Sequence, residues 1–145
     1  MNARTSTFEI SPSPTIRLSV LVMDDSSDTL NLLCEEITNA GYIVIPAKSR
    51  EEALKCLEFT IPDIILLDAT SPDTKGFSLG RHIKSLPGRS EIPVLFMIEL
   101  ANNHQIINSF ENGGSDYIPK PVRIPEVLAR LLTHTTLMQE NCVPS

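Results

Sequence analysis

Three short apolar runs in this chain end on charged residues that suit phosphoryl chemistry. The run "VLVM" meets Asp24 and Asp25, "IILLD" ends on Asp68, and "DYIPK" ends on Lys120. Three carboxylates within about 5 Å of one another would repel by roughly 3 kcal/mol per pair at an effective dielectric near 20, so such a cluster requires protonation or a cation. Hard oxygen ligands with open positions suit Mg²⁺. A carboxylate between Mg²⁺ and a lysine is arranged to attack a phosphoryl group and form an aspartyl-phosphate.

Each of these residues also has a simpler interpretation when it is taken alone. Asp24 and Asp25 would cap the helix that follows them, and Lys120 would be an ordinary surface charge. The chemical interpretation is favoured only if all the run-ends lie on one rim of the folded chain. That condition depends on the elements that carry them.

Strand and helix patterns alternate along the chain. Apolar residues recur at helical spacing at Leu30, Leu33 and Ile37, and Ser49 with Glu52 forms a capping box at the start of a second helix. The predicted strands are 17–23, 42–46, 63–68, 92–98 and 116–119. The predicted helices are 26–41, 49–60, 77–86, a segment capped by Asn102 or Asn103, and 122–138.

This alternation, with strands that are apolar throughout, predicts a parallel sheet covered by helices on both faces. That is the doubly wound α/β class. Right-handed crossovers place the C-terminal ends of all strands at one edge, where ligands bind. Asp24, Asp25, Asp68 and Lys120 are therefore expected on one rim, together with Ile98 at the end of the fourth strand.

Composition fits a single domain and disfavours several classes of function. The 145 residues, of which 41% are hydrophobic, predict one core over 17–138, a flexible tail at 1–16 and a second tail at 139–145. A net charge of −6 disfavours direct nucleic-acid binding by this segment. No apolar run approaches the roughly 18 residues of a membrane span. The N-terminal residues lack the pattern of a secretory signal, so a cytoplasmic location is expected.

The motifs "VLVMDDSSDTL", "PDIILLDATSPDTKGF" and "GGSDYIPKPV" resemble those of response-regulator receiver domains of bacterial two-component signalling, the CheY-like superfamily. The resemblance runs from about Leu18 to Met138, and the last motif is its most specific part. It implies the flavodoxin-like receiver fold, a five-stranded parallel sheet of strand order 2-1-3-4-5 with five helices.

The resemblance also implies a phosphoacceptor site. Asp68 would take the phosphoryl group from a histidine kinase or a phosphotransfer protein. Asp25, Asp68 and the backbone carbonyl of Thr70 would ligate Mg²⁺, and Asp24 would act on the ion through water. Lys120 would pair with the phosphoryl oxygens.

Two conformational features follow from the same resemblance. The Lys120–Pro121 peptide bond is usually cis in this family. Tyr117 matches an aromatic residue that moves between exposed and buried positions on activation. The alternative interpretation of Tyr117 is a plain aromatic residue of a strand.

Four positions depart from the pattern of the family. Ile98 stands where Thr or Ser usually ends the fourth strand, and it lacks the hydroxyl that bonds the phosphoryl group. A hydrogen bond to a charged group contributes roughly 1.5–3 kcal/mol, so the bias towards the phosphorylated active state would fall by about one to two decades. Glu99 stands where a small residue is usual, and it adds negative charge and bulk if its side chain points toward the site. Ser71 and Lys75 replace the Met and Asp that are common in the loop after Asp68.

Three functions are consistent with these residues. The leading hypothesis is a receiver domain, not a turnover enzyme, that keeps its phosphoacceptor chemistry but has an altered switch. The second is a phosphorylation-independent pseudo-receiver that dimerises or binds partners through its fourth helix, fifth strand and fifth helix. The third, a haloacid-dehalogenase-type phosphatase, is disfavoured because Thr70 stands where such enzymes need a second Asp.

The segment 122–138 resembles the end of receivers that are joined to a DNA-binding helix-turn-helix domain or to a kinase. The chain is therefore expected to be either a stand-alone receiver or a fragment of a longer regulator. Regulation of transcription is one output that this resemblance allows.

Overall fold

The computed structural model describes residues 17–70, 75–99 and 103–141, with side chains as far as Thr136. The predicted tail at 1–16, the loop residue Ser71 and the candidate cap Asn102 lie outside these ranges. The strands are β1 Ser19–Met23, β2 Ile43–Ala47, β3 Ile64–Asp68, β4 Val94–Glu99 and β5 Asp116–Lys120. The helices are α1 Ser27–Asn39, α2 Arg50–Phe59, α3 Gly76–Ser85, α4 Asn103–Glu111 and α5 Ile124–Asn141.

All five strands are parallel, and their order across the sheet is β2-β1-β3-β4-β5. This confirms the predicted doubly wound α/β fold with five helices. The chain moves outward from β1 in one direction to β2 and in the other to β3, so the C-terminal ends of β1 and β3 form the switch point of the sheet. In the register, Asp68 lies opposite Met97, and Glu99 lies opposite Lys120.

The fourth strand and the fourth helix differ slightly from their predicted bounds. β4 continues one residue past Ile98, because Glu99 pairs with Lys120 of β5. Asn103, one of the two candidate caps, is instead the first residue of α4. The end of β4 therefore carries a charged residue inside the sheet pairing.

The last helix is longer than the sequence pattern predicts. It begins at Ile124, has Pro125 in its first turn as expected, and runs to Asn141 rather than ending at Met138. No glycine or proline occurs in 126–141, so the sequence holds no stop signal at the predicted end. Over the described ranges, neither α5 nor any other helix is long and apolar enough to cross a membrane.

Serine caps fix the starts of α1 and α2. Ser26 Oγ accepts a hydrogen bond from the Thr29 N–H at 3.3 Å, and Ser49 Oγ accepts one from the Glu52 N–H at 3.1 Å. The Glu52 carboxylate accepts in turn from the backbone N–H of Lys48, at 2.8 Å, rather than from the cap residue itself. The predicted capping box therefore forms with its return bond displaced by one residue.

Alternation along the strands divides the buried side chains into two layers. The first core lies between the sheet and α2, α3 and α4, and the second core lies between the sheet and α1 and α5. The sheet residues of the first core are Leu21, Met23, Ala47, Ile65, Leu67, Val94, Phe96 and Ile98. Those of the second core are Val20, Val22, Ile64, Leu66, Leu95, Met97 and Ile118.

Two glycines make room for the ring of Phe96 in the first core. A Cβ atom added to Gly80 of α3 would lie 2.4 Å from Phe96 Cζ, and one added to Gly114 would lie 2.8 Å from Phe96 Cδ2. The Phe77 ring also contacts Phe96, with 4.9 Å between the ring centroids. Close packing of α3 onto β4 therefore depends on the absence of a side chain at Gly80.

Gly80→Ala is expected to lower the free energy of unfolding by about 1 kcal/mol. Overpacking costs about 1–3 kcal/mol and exceeds the roughly 1 kcal/mol that alanine adds to helix propensity. Urea unfolding measures the difference. In a Phe96→Leu background the cost of Gly80→Ala should shrink, since leucine leaves room for the methyl group. An equal cost in both backgrounds would contradict this contact.

Candidate functional site

The ends of β1, β3 and β5 bring three charged side chains together at one rim of the sheet. Asp24 follows the last residue of β1, and Asp68 and Lys120 are the last residues of β3 and β5. Lys120 Nζ lies 3.0 Å from Asp24 Oδ2 and 3.5 Å from Asp68 Oδ1. Both carboxylates are buried, whereas the Lys120 side chain is 18% exposed. A basic group therefore bridges two buried acids just below the surface.

Backbone donors hold the Asp24 carboxylate in place. Asp24 Oδ1 accepts a hydrogen bond from the Ser26 N–H at 2.9 Å, while its Oδ2 accepts from Lys120. The Asp24 N–H donates to the carbonyl of Ala47, at 3.1 Å, which extends the pairing of β1 with β2. Because Ser26 also caps α1, the start of that helix and the carboxylate are positioned together.

Thr70 holds the Asp68 carboxylate. Its backbone N–H and its hydroxyl both donate to Asp68 Oδ1, at 2.9 Å and 2.6 Å. Ala69, which lies between Asp68 and Thr70, donates its N–H to the carbonyl of Met97 at 2.9 Å. The turn after β3 is therefore hydrogen-bonded to β4. The orientation of the Asp68 carboxylate is thus fixed by its own loop as well as by Lys120.

Burial and charge shift the pKa values of Asp24 and Lys120. Burial raises the pKa of Asp24 above its ordinary value, and the hydrogen bonds from Ser26 and Lys120 offset this rise only in part. Burial also acts to lower the pKa of Lys120, but the hydrogen bond to Asp24 and the charges of Asp68 and Asp24 outweigh it and raise the pKa. Lys120 is therefore a firmly protonated cation, and burial disfavours the negative charge of Asp24.

The acidic cluster has a donor set that fits Mg²⁺. One oxygen from each of Asp24, Asp25 and Asp68 lies within 4.8 Å of the others, with Asp25 exposed to solvent. Hard carboxylate oxygens with access to water are the ligands that Mg²⁺ accepts in proteins. The three acids would hold the ion between them, and the ion would supply positive charge to a phosphoryl group on Asp68. The Thr70 carbonyl stays a predicted further ligand.

Gly76 is a positioning residue that the sequence reasoning missed. A Cβ atom there would lie 2.2 Å from the carbonyl oxygen of Asp68 and 2.9 Å from Ala69 Cα. The start of α3 therefore rests directly on the backbone of Asp68. Lys75 before it adopts a left-handed conformation with φ of 49°, which turns the chain into the helix. The "KG" pair was a usable signal, because glycine marks sharp turns and close approach of backbones.

Ile98 lies on the first-core side of the sheet and is fully buried. It pairs with Pro119 of β5, next to Tyr117, which packs against the same core. The Tyr117 ring is half-buried and meets the Phe110 ring of α4 edge-on, with the centroids 6.0 Å apart and the planes at 85°. The isoleucine therefore joins an apolar and aromatic contact between β4, β5 and α4.

Glu99 and Pro121 lie at the same rim. Glu99 is exposed, and its backbone N–H donates to Gln105 Oε1 of α4 at 2.7 Å. The bond between Lys120 and Pro121 is cis, as the resemblance implies. Within the described ranges, Lys120 forms its ion pairs with Asp24 and Asp68, and none joins it to Glu99.

Residues 20–132 match the family described as the response regulator receiver domain. The chain is 34% identical to the response regulator PleD of Caulobacter vibrioides over 116 residues, which cover 80% of this chain and 26% of that protein. It is 32% identical over 127 residues to an uncharacterized 14.6 kDa protein of Leptolyngbya boryana, covering 88% of this chain and 92% of that one. A solved structure, the receiver domain of a signal transduction histidine kinase from Syntrophus aciditrophicus, is 26% identical with a TM-score of 0.75, covering 88% and 95% of the two chains.

Asp24→Asn is expected to raise the free energy of unfolding at pH 7, measured without divalent cations, on the order of 1 kcal/mol, because it removes a charge that burial disfavours. The native pKa of Asp24 is raised, so its contribution to stability is full below the unfolded value of about 3.9 and is lost as pH rises through the native pKa. The gain from asparagine should therefore be present at pH 7 and vanish near pH 3.

Denaturant unfolding at the two pH values checks this prediction. Asp28→Asn is the control, because it removes the same charge from an exposed position in the first turn of α1. A loss of stability at pH 7, or a gain of the same size at both pH values, would contradict the account of Asp24.

Proposed function

Because the chain belongs to the response regulator receiver domain family, we propose that it accepts a phosphoryl group on Asp68 from a histidine kinase or a phosphotransfer protein. The observation that supports this most is the joint contact of Lys120 Nζ with Asp24 at 3.0 Å and with Asp68 at 3.5 Å. A cation already stands beside the acceptor carboxylate. A phosphoryl group arriving there would meet its counter-charge without rearrangement of the site.

The proposed reaction is attack of the Asp68 carboxylate on the phosphorus atom of a phosphohistidine. An O–P bond forms, the N–P bond breaks, and the imidazole leaves with the electron pair. The hydrogen bonds from Thr70 orient the acceptor carboxylate. Asp25, Asp68 and the Thr70 carbonyl would hold Mg²⁺, with Asp24 acting through water, and the ion would neutralise charge on the phosphoryl oxygens. Lys120 would pair with those oxygens.

In this proposal the domain is a phosphoacceptor and not a turnover enzyme. Thr70 occupies the position at which a phosphatase of the haloacid-dehalogenase type needs a general acid, and its hydroxyl instead donates to Asp68. The proposed unit keeps the predicted bounds 17–138, with tails at 1–16 and 139–145, and α5 continues into the second tail as far as Asn141. It would work in the cytoplasm, where its kinase supplies the phosphoryl group. The chain spans 26% of the Caulobacter vibrioides relative and 92% of the Leptolyngbya boryana one. In this proposal the output belongs to a partner or to a further domain.

The surface formed by α4, β5 and α5 is the proposed site of homodimerisation or of effector binding. Ile107 and Phe110 of α4 are each 53% exposed, and Leu132 of α5 is 62% exposed. Next to these apolar side chains, Arg130 of α5 forms an ion pair with Asp116 of β5 at 3.2 Å. This ion pair holds α5 against β5 on the same surface. The net charge of −6 argues against direct binding of nucleic acid by this surface.

A second candidate function is a pseudo-receiver that binds partners without phosphorylation. The full burial of Ile98 favours it, because an apolar residue there gives α4 and β5 no hydrogen bond to a phosphoryl group. Asp68→Ala separates the two functions. Unchanged dimerisation and partner binding in this variant would support the pseudo-receiver, and loss of both would exclude it.

Incubation with Mg²⁺ and acetyl phosphate is expected to add the mass of one phosphoryl group to the purified chain. Intact-mass spectrometry detects the adduct, and Asp68→Ala should lack it. Lys120→Ala should reduce its yield, since the variant lacks the cation beside the acceptor. An adduct of equal yield on Asp68→Ala, or none on the wild type, would sink the phosphoacceptor proposal.

Ile98→Thr is expected to strengthen the response to phosphorylation and to cost stability. A buried hydroxyl without its phosphoryl partner should lower the unfolding free energy by about 1–3 kcal/mol. Once the aspartyl-phosphate or a beryllofluoride complex forms, the threonine hydroxyl can bond to it. The change that phosphorylation or beryllofluoride causes in the dimer dissociation constant should then be about tenfold larger than in the wild type. Sedimentation with and without beryllofluoride measures that effect.

Ile98→Val is the matched control, because valine has the shape of threonine without the hydroxyl. The valine variant should respond to beryllofluoride as the wild type does. If valine and threonine gave the same response, the missing hydroxyl would not be what limits the switch.

A further inference from the structure

We propose that Glu99 determines which phosphodonors this site accepts, by repelling small donors that carry a high negative charge. The inference rests on the proposed function, in which Asp68 is the acceptor. It concerns the supply of phosphoryl groups to the site rather than the response to them, which involves Ile98 and Tyr117.

Strand alternation places Glu99 on the same side of the sheet as the acceptor. In β4, Val94, Phe96 and Ile98 belong to the first core, and Leu95 and Met97 belong to the second core. Glu99 is the next residue after Ile98 and is still paired in the sheet, so its side chain leaves on the second-core side.

The acceptor and the lysine leave the sheet on that same side. Asp68 follows Leu67 of the first core in β3, and Lys120 lies two residues after Ile118 of the second core in β5. Asp68 pairs with Met97, and Glu99 is two residues further along β4. From ordinary strand spacings, the Cα atoms of Glu99 and Asp68 are about 8 Å apart. Glu99 is thus near the acceptor but further out along the rim.

The Glu99 carboxylate is not neutralised by the cation of the site. Lys120 lies opposite it in the register, yet its Nζ turns inward to Asp24 and Asp68. The Glu99 side chain is exposed, and its backbone N–H donates to Gln105 Oε1 at 2.7 Å. That bond attaches the end of β4 to α4, so the backbone from which the Glu99 side chain extends is held in place beside the path to Asp68.

The repulsion energy between the Glu99 carboxylate and a donor rises in proportion to the negative charge of the donor. Acetyl phosphate carries two negative charges at neutral pH, and phosphoramidate carries a single net negative charge. In both transfers the Asp68 oxygen forms a bond to phosphorus as the donor's own bond to phosphorus breaks, and acetate or ammonia leaves with the electron pair. If the charges are separated by a distance equal to that Cα spacing, about 8 Å, Coulomb repulsion in water slows the approach of a dianion by about fivefold and that of a monoanion by about twofold.

A protein phosphohistidine is less affected by this repulsion. Its phosphoryl group arrives on a docked domain, and contacts elsewhere on the two surfaces add favourable free energy that a small molecule lacks. Glu99 would therefore favour transfer from a partner protein over adventitious phosphorylation by metabolites that carry a dianionic phosphoryl group.

The test compares rates of phosphorylation for the wild-type chain and Glu99→Gln at saturating Mg²⁺. Glutamine keeps the size of the side chain and removes its charge. The variant should be about fivefold faster with acetyl phosphate and about twofold faster with phosphoramidate at low ionic strength. Both gains should shrink in 1 M salt, where the screening length is about 3 Å.

Glu58→Gln is the matched control. Glu58 is an exposed acid near the end of α2, beside Pro87 and Arg89, which precede β4 at the opposite edge of the sheet. This variant should keep the wild-type rate with both donors. It separates a local effect at the rim from an effect of net charge.

Two results would overturn the inference while leaving the proposed function intact. One is an equal gain with both donors, which would point to a steric effect. The other is a rate for Glu99→Gln that equals that of the wild type or of Glu58→Gln. Failure of every form to take up phosphate from either donor would overturn the proposed function itself, and this inference with it.

Discussion

The contact of Lys120 with Asp24 and Asp68 is the interaction on which the rest of the site depends. Two buried carboxylates at neighbouring strand ends repel each other, and the lysine at the end of the edge strand β5 reaches both of them. It does so only if β1, β3 and β5 end at the same edge of one parallel sheet. The charge cluster therefore depends on the parallel sheet, and a phosphoryl group would enter a site whose counter-charge the fold already provides.

The residues that would bind a phosphoryl group and the residues that would respond to it lie on opposite faces of the sheet. Asp68 and Lys120 lie on the second-core side, where a phosphoryl group would be bound, whereas Ile98 and Tyr117 lie on the first-core side against α4. A hydroxyl at the end of β4 would connect the two sides by bonding the phosphoryl group. Ile98 instead adds its side chain to the apolar layer and gains burial. In the proposed function, acceptance of the phosphoryl group on Asp68 and its structural effect through β4 would therefore be separable.

The fold and the charged rim were predictable from the sequence, because apolar runs that alternate with helical patterns leave little choice but a parallel sheet. The strand ends of such a sheet share an edge, so the positions of Asp24, Asp68 and Lys120 followed. The role of Gly76 did not follow, since it depends on how closely α3 approaches the backbone of Asp68 in three dimensions. The side on which Glu99 leaves the sheet depends on the pairing of β4 with β5, which the sequence pattern ended one residue early.

The most direct test is a nuclear magnetic resonance comparison of the chain with Mg²⁺ alone and with Mg²⁺ and beryllofluoride. Tyr117 is one of two tyrosines, so its ring resonances can be followed separately. The account predicts large shifts for Asp68, Thr70 and Lys120, with the Tyr117 ring keeping its environment against Phe110. Absence of shifts at Asp68 and Lys120, or a displacement of the Tyr117 ring as large as theirs, would contradict it.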